Sequence, residues 1–132
     1  MPLTAFQKDV LAVIAANRSA ESHFAGGLVL NATDDSVRYS HDFDIFHDAA
    51  EEVASASSRD TAMLVAAGFE VTQLAGEWAK PSTFRKARVT KAGDSVEIDW
   101  AADSAFRFFP IEPDPLLGWR LHLFDMATNK AL

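Results

Sequence analysis

Asp42 and Asp44 are the residues of this 132-residue sequence whose type and spacing point most directly to chemistry. Polar and apolar residues alternate around them, and this alternation predicts a β-strand. Because successive side chains of a strand point to opposite faces, both carboxylates project from one face, and Phe43 and Ile45 project from the other. Neighbouring carboxylates repel each other, and a hard cation such as Mg²⁺ relieves that repulsion. Asp42 and Asp44 are therefore predicted metal ligands.

A third carboxylate lies on a later segment with the same alternation. Apolar residues alternate with Glu97 and Asp99 between positions 96 and 100, so the two acidic side chains share one face. If this strand lies beside the strand of Asp42 and Asp44, three carboxylates surround a site for two Mg²⁺ ions. Such a site suits phosphoryl or nucleotidyl transfer, because the attacking and leaving oxygens both need a cation. We predict that Asp99 is the third ligand and that Glu97 faces solvent or supports the ligands.

Phosphate-binding features flank these acidic residues. Gly26 and Gly27 precede the first acidic strand, and a glycine pair before a helix lets backbone N–H groups approach a phosphate. The same pair also fits a plain helix stop and turn. Lys86 and Arg88 alternate on another predicted strand and share a face, where they can meet a triphosphate. Solvated strand charges have the same pattern, so both interpretations stay open.

Two of these motifs carry a family resemblance. Gly26-Gly27, followed after fourteen residues by Asp42-Phe43-Asp44-Ile45, resembles the Gly-Gly/Ser and Asp-x-Asp signature of polymerase β-type nucleotidyltransferases. The spacing is slightly longer than is usual in that superfamily. The segment Arg38-x-Ser40-x-Asp42-x-Asp44-x-Phe46 is similar to the form found in AbiEii-type toxins of bacterial toxin–antitoxin systems. The chain thus resembles that toxin family from about Phe6 to Leu132.

The resemblance also extends to later residues. Asp99 matches the family's third carboxylate, and the segment 125–130 is similar to a following helix whose lysine, here Lys130, contributes to the nucleotide site. By the same match, Arg38 and Ser40 are expected at the nucleotide. Family members continue into a helical region with further Arg and Asp motifs that have no counterpart here. We therefore expect residues 1–132 to be a catalytic core that ends before that region.

The resemblance implies both a fold and an activity. The fold would be α+β, a polymerase β-like core with a small mixed β-sheet and helices packed on one side. The activity would be Mg²⁺-dependent transfer of a nucleoside monophosphate from an NTP to an acceptor hydroxyl of tRNA or protein. An antitoxin protein would be the partner. Two other hypotheses stay open: a non-catalytic binding domain that acts through a partner subunit, and a metal phosphohydrolase.

Composition limits the classes of protein that fit. Hydrophobic residues make up 48% and charged residues 23%, as expected for one globular domain. The absence of cysteine excludes disulfides and thiolate metal sites. We expect a cytoplasmic protein without a membrane span, because no apolar run approaches roughly 20 residues. The net charge of −7 disfavours RNA binding by this segment alone.

The remaining patterns predict the elements that position these residues. Thr4 and Gln7 form a capping box for a first helix that ends near Asn17 and Arg18. A second helix is expected from Asp48, with Glu51 completing another box, to about position 67, with a possible interruption at 55–58 and Gly68 as its stop. Strands are expected at 69–74, 84–90, 95–100 and 120–124, a hairpin turn at 91–94, irregular chain at 101–118, and a last helix from 126.

Histidines flank the acidic strand and suggest one further possibility. His41 precedes Asp42, and His47 precedes Asp48, as in the His-Asp pairs of some metal phosphohydrolases. Those pairs lie on helices, whereas this segment has the period of a strand. His41 would also point away from Asp42. The pattern therefore favours a site made of carboxylates alone.

Overall fold

The structure, a computed structural model, describes residues 3–19, 21–25, 42–75, 83–102, 111–115 and 117–120. These residues form an α+β fold, as expected. The helices are α1 (Ala5–Ile14), continued by a 3-10 turn (Ala15–Asn17), and α2 (Ala50–Ala66). The strands are β1 (Ser22–Ala25), β2 (Asp42–His47), β3 (Glu70–Ala75), β4 (Phe84–Lys91), β5 (Asp94–Ala102), β6 (Glu112–Asp114) and β7 (Gly118–Arg120).

The seven strands in the described part of the chain form one mixed sheet, in the order β3-β4-β5-β2-β1-β7-β6. Strands β3, β4 and β5 are an antiparallel meander. Strand β5 then pairs in parallel with β2, and β2 pairs antiparallel with β1. Since β2 precedes β5 in the sequence, the helix α2 and the strands β3 and β4 make the connection between two neighbouring strands.

Both described helices pack on one face of the sheet. Helix α2 lies across β2, β3, β4 and β5, and α1 contacts α2 and β5. The apolar residues of the central strands point into this layer and are fully buried, Phe43 and Ile45 from β2 and Ile98 and Trp100 from β5. Burial of these side chains is the main force that fixes which face of each strand is covered. Asp44 of β2 and Asp99 of β5 lie on the opposite face.

The first helix begins and ends where the sequence predicts. Thr4 Oγ1 accepts a hydrogen bond from the Gln7 backbone N–H at 3.1 Å. Gln7 Oε1 accepts in return from the Thr4 N–H at 2.8 Å, which completes the capping box. The 3-10 turn then ends at Asn17, and Arg18 is extended.

The second helix begins later than its sequence pattern predicts. Ala49 is the N-cap residue and no side chain caps the helix, so the predicted box of Asp48 and Glu51 is wrong. Strand β2 continues to His47, which leaves no room for the helix to begin at position 48. The serines at 55–58 do not interrupt the helix, and Ser57 Oγ donates to the Ala54 carbonyl at 3.1 Å. Gly68 ends it at a φ of 96°, as predicted.

Strands β1, β6 and the first part of β7 were not expected from the sequence. The segment predicted to be irregular, 101–118, contains the end of β5, all of β6 and the start of β7. Strand β1 has only four residues and is buried on both faces, so it lacks the alternation that marks other strands. Strand β6 is at the edge of the sheet, where Pro113 is tolerated because no partner needs its missing N–H.

The hairpin between β4 and β5 follows the predicted turn. Ala92 and Gly93 both have positive φ, 54° and 88°, as a two-residue turn of type I′ requires. The predicted final helix from 126 lies outside the described residues, as do positions 121–124. Neither helix in the described ranges is long and apolar enough to cross a membrane.

Candidate active site

The parallel pairing of β2 with β5 brings two of the predicted carboxylates, those of Asp44 and Asp99, side by side. Asp44 is the Cα partner of Asp99, and Asp42 is the Cα partner of Glu97. Partners in register point to the same face of a sheet, so Asp44, Glu97 and Asp99 lie side by side. These three side chains are called the carboxylate row. The backbone of Asp42 belongs to the same strand, and its side chain lies outside the described residues.

Strand β4 supplies cations to the other side of the carboxylate row. Lys86 is the Cα partner of Asp99, and Arg88 is the partner of Glu97. The Lys86 Nζ atom lies 3.5 Å from Glu97 Oε1 and 3.6 Å from Asp99 Oδ1. Arg88 Nη2 lies 3.8 Å from Glu97 Oε2. Lys86 and Arg88 therefore share a face, as their spacing predicts, and that face is the acidic one.

The carboxylate row is partly shielded from solvent. The Asp99 side chain is 20% exposed, with its Oδ1 atom buried, and Asp44 is half-buried. Charges interact more strongly in such partly desolvated places than in water. Mg²⁺ is usually held by one or two carboxylates together with substrate phosphates and waters, and Asp44 and Asp99 offer that number. Among the described residues, no three or more acidic or histidine side chains are grouped so that they could hold a metal ion together.

Five predicted nucleotide-binding residues lie outside the described part of the chain, namely Gly26, Gly27, Arg38, Ser40 and Lys130. Their roles stay predictions. One neighbouring contact is described: Ala25, the last residue of β1, is the Cα partner of Asp44. The strand that precedes the glycine pair in the sequence thus ends beside the carboxylate row.

A buried ionic network supports the row from the helix side of the sheet. Asp60, in the middle of α2, is fully buried and accepts from Arg18 Nη2 at 2.8 Å and 2.6 Å. It also accepts from Asn17 Nδ2 at 2.8 Å and from Trp100 Nε1 at 2.9 Å. Burial lowers the pKa of Arg18, and Asp60 opposes that shift. Because Trp100 follows Asp99 in β5, this network anchors the strand that carries Asp99.

This network was not predicted from the sequence, although one signal was present. The buried residues of α2 recur at helical spacing, and Asp60 falls on that buried stripe with Val53, Ala56 and Leu64. A charged residue on the apolar stripe of a helix predicts a buried partner. A second contact of this kind joins α2 to β4, where buried Arg85 donates to Ser57 Oγ at 2.9 Å.

His47 does not join the carboxylate row. It is fully buried on the helix-covered face of β2, with Phe43 and Ile45, whereas Asp44 lies on the other face. Its Nε2 atom lies 2.8 Å from Ser22 Oγ, and its Nδ1 atom lies 3.4 Å from the Ala101 carbonyl. Burial, helped by the charge of Arg18, lowers the pKa of His47 to about 4. His47 is therefore a neutral link between β1, β2 and β5; His41 lies outside the described residues.

This histidine is expected to make the fold acid-sensitive. A folded pKa of about 4 against 6.5 in the unfolded chain means that the unfolded state binds the extra proton as pH falls below 6.5. The stabilising contribution is complete above pH 6.5 and is lost as pH falls toward 4. Between pH 7 and pH 4.5 the wild type should lose about 2 kcal/mol more than His47→Gln. Urea unfolding of both proteins at the two pH values measures these losses of unfolding free energy. Equal losses in the wild type and in His47→Gln would contradict the prediction.

No family model matches the chain, and no curated protein and no solved structure matches it. The resemblance to AbiEii-type toxins therefore rests on the motifs of the sequence. The structure adds the geometry of the carboxylate row to those motifs.

Proposed function

We propose that this chain is the catalytic core of a Mg²⁺-dependent nucleotidyltransferase of the polymerase β-like type. The observation that carries the proposal is the pairing of β2 with β5, which puts Asp44 of the Asp-x-Asp motif beside Asp99 on one face. A mixed sheet with its described helices on the other face agrees with the architecture that the sequence resemblance implies. The motif contains Asp42 and Asp44, and the register places Asp99, from a later part of the sequence, beside Asp44.

The proposed chemistry uses the row as a metal and proton site. Asp44 and Asp99, with Asp42 from the same strand, would hold Mg²⁺, which supplies positive charge to the triphosphate and to the acceptor hydroxyl. Asp99 promotes loss of the proton from that hydroxyl. The hydroxyl oxygen forms a bond to the α-phosphorus, and the bond to pyrophosphate breaks. Lys86, next to Asp99, contributes positive charge on the side where phosphates would approach.

The acceptor and the partner follow from the resemblance rather than from the site. AbiEii-type toxins imply a hydroxyl of tRNA or of a protein as the acceptor, and an antitoxin protein as the partner. Proteins that bind RNA tightly displace counterions with Lys and Arg, and this chain has a net charge of −7. The acidic composition makes protein the better acceptor for these residues alone. A non-catalytic domain that acts through a partner subunit is the main alternative.

The proposal predicts metal-dependent binding of a nucleotide. Calorimetric titration with each of the four NTPs should show binding that requires Mg²⁺ and that weakens at least about tenfold in Asp44→Asn. The matched control is Glu70→Gln, which also removes one negative charge but from an exposed residue of the edge strand β3. Its affinity should equal that of the wild type. Binding that survives Asp44→Asn, or that needs no metal, would contradict this site and favour the non-catalytic alternative.

A separate readout distinguishes the phosphohydrolase hypothesis. A nucleotidyltransferase releases pyrophosphate only when an acceptor takes the nucleotide, whereas a phosphohydrolase uses water. Incubation of the chain with NTP and Mg²⁺ alone should therefore release little phosphate. Steady release of phosphate, lost in Asp44→Asn, would assign the same carboxylates to hydrolysis.

A further inference from the structure

Lys86 lies between the two acidic side chains of β5. Its Nζ atom is 3.6 Å from Asp99 Oδ1 and 3.5 Å from Glu97 Oε1. In the antiparallel register of β4 and β5, Lys86 is the direct partner of Asp99, so the two side chains lie next to each other on one face of the sheet. Arg88, two residues along β4, pairs with Glu97 at 3.8 Å and is more exposed, 48% against 29% for Lys86.

The position of Lys86 balances a repulsion that the sheet creates. The parallel register puts Asp44 beside Asp99, and carboxylates that lie opposite each other on one sheet face destabilise the pairing. Partial burial of Asp99 strengthens the repulsion, because water screens it less. A single ammonium within 4 Å of both Asp99 and Glu97 offsets it. The carboxylate row therefore carries its own cation.

A divalent ion and this ammonium would need the same oxygen atoms. Asp99 Oδ1 is buried, so space around it is limited, and the Lys86 Nζ atom lies 3.6 Å from it. Lysine carries its charge on a flexible four-carbon stem and can move without a change in the backbone. Its separations of 3.5 and 3.6 Å are those of ion pairs rather than short hydrogen bonds, which makes displacement inexpensive.

We infer that Lys86 is an internal counter-cation that competes with the metal for Asp99. Without metal it neutralises Asp99 and Glu97, and with metal it is released to pair with the phosphates of the nucleotide. The inference rests on the proposed function, because it takes Asp44 and Asp99 as metal ligands. It assigns to one side chain opposite effects on two ligands, weaker binding of the free metal and tighter binding of the nucleotide.

Titration with Mn²⁺ in the absence of nucleotide tests the first effect, with free Mn²⁺ followed by its electron paramagnetic resonance. Lys86→Met should bind Mn²⁺ about three- to tenfold more tightly than the wild type. Arg88→Met changes the net charge by the same amount and should change the affinity less than about twofold, because Arg88 pairs with Glu97 rather than Asp99. Lys86→Gln replaces Lys86→Met if the latter does not fold.

The same variants with nucleotide test the second effect. With Mn²⁺ saturating, Lys86→Met should bind NTP about threefold to tenfold more weakly than the wild type, a change of opposite sign. Equal Mn²⁺ affinities of wild type and Lys86→Met, or equal gains in Lys86→Met and Arg88→Met, would overturn the inference while leaving the metal site in place. Absence of Mn²⁺ binding in the wild type, or undiminished binding in Asp44→Asn, would instead remove the proposed function, and the inference with it.

Discussion

Replacement of Asp60 by alanine is expected to lower the free energy of unfolding by about 3–5 kcal/mol. The carboxylate is fully buried and accepts two hydrogen bonds from Arg18, one from Asn17 and one from Trp100. Without it, the guanidinium of Arg18, whose side chain is also buried, loses its ionic partner away from water. An uncompensated buried charge costs more than the ion pair itself contributes, so removal of one partner is the severe change.

Two control variants distinguish the effect of an unpaired buried charge from the effects of a changed helix or a lost side-chain volume. Glu51→Ala removes an exposed carboxylate from the same helix and should change stability by only about 0.5 kcal/mol. The double variant Arg18→Met, Asp60→Leu removes both charges and should lose less than Asp60→Ala alone, because no charge is left unpaired. Urea unfolding measures all three. A loss below about 1 kcal/mol in Asp60→Ala, or a larger loss in the double variant, would contradict the argument.

The Asp60 network also has a consequence for the site. Trp100 is the residue after Asp99, and its indole N–H is held by Asp60 from the helix side. Side chains alternate along β5, so the anchor on one face fixes the direction of the carboxylate on the other. The conservative variant Asp60→Asn keeps acceptor capacity for Trp100. If the carboxylate row holds the proposed metal, Asp60→Asn should therefore bind Mn²⁺ more tightly than Asp60→Ala does.

Alternation of residue types was enough to predict which side chains of the central strands share a face. In β2, Phe43 and Ile45 are buried and Asp44 lies on the opposite face, because α2 covers one face of the strand. Strand β5 has the same alternation between positions 96 and 100. Alternation contains no information on which strands are neighbours. From the sequence, it could only be said that the carboxylates meet if β2 lies beside β5. The pairing of these strands, with Asp44 opposite Asp99, is seen only in the structure.

Other features left little trace in the sequence. Strand β1 is short and buried on both faces, so its residues Ser22–Ala25 have no period of two. The Ser22–His47 contact joins residues 25 positions apart, and no sequence pattern links the two residues. The start of α2 was misplaced because Asp48 and Glu51 match a capping pattern, although β2 continues to His47. At the start of α2, tertiary contacts outweigh a local capping preference that is worth about 1 kcal/mol.

Replacement of Asp99 by asparagine is expected to lower the rate of nucleotidyl transfer by at least about 10³-fold. Asparagine has nearly the same size as aspartate and keeps one side-chain oxygen that can coordinate a cation, so β5 should fold normally. It lacks the negative charge that would help hold the second cation and draw the proton from the acceptor hydroxyl. NTP affinity should fall much less, because Asp44 and Asp42 would remain for the metal on the triphosphate. The expected signature is a loss of rate with binding largely kept.

The control for this variant lies on the same strand. Glu97→Gln removes a charge from the carboxylate row and from the same lysine contact, but Glu97 is predicted to face solvent or to support the ligands rather than to hold the metal. Its transfer rate should fall by less than about tenfold if Glu97 is a supporting residue. Transfer is followed as α-³²P label from NTP in acid-insoluble material of a cell extract. Label that protease removes and ribonuclease leaves would identify a protein acceptor, and the reverse would identify RNA. Near-normal labelling by Asp99→Asn would show that the third carboxylate is elsewhere, and the two-metal mechanism on this face would have to be abandoned.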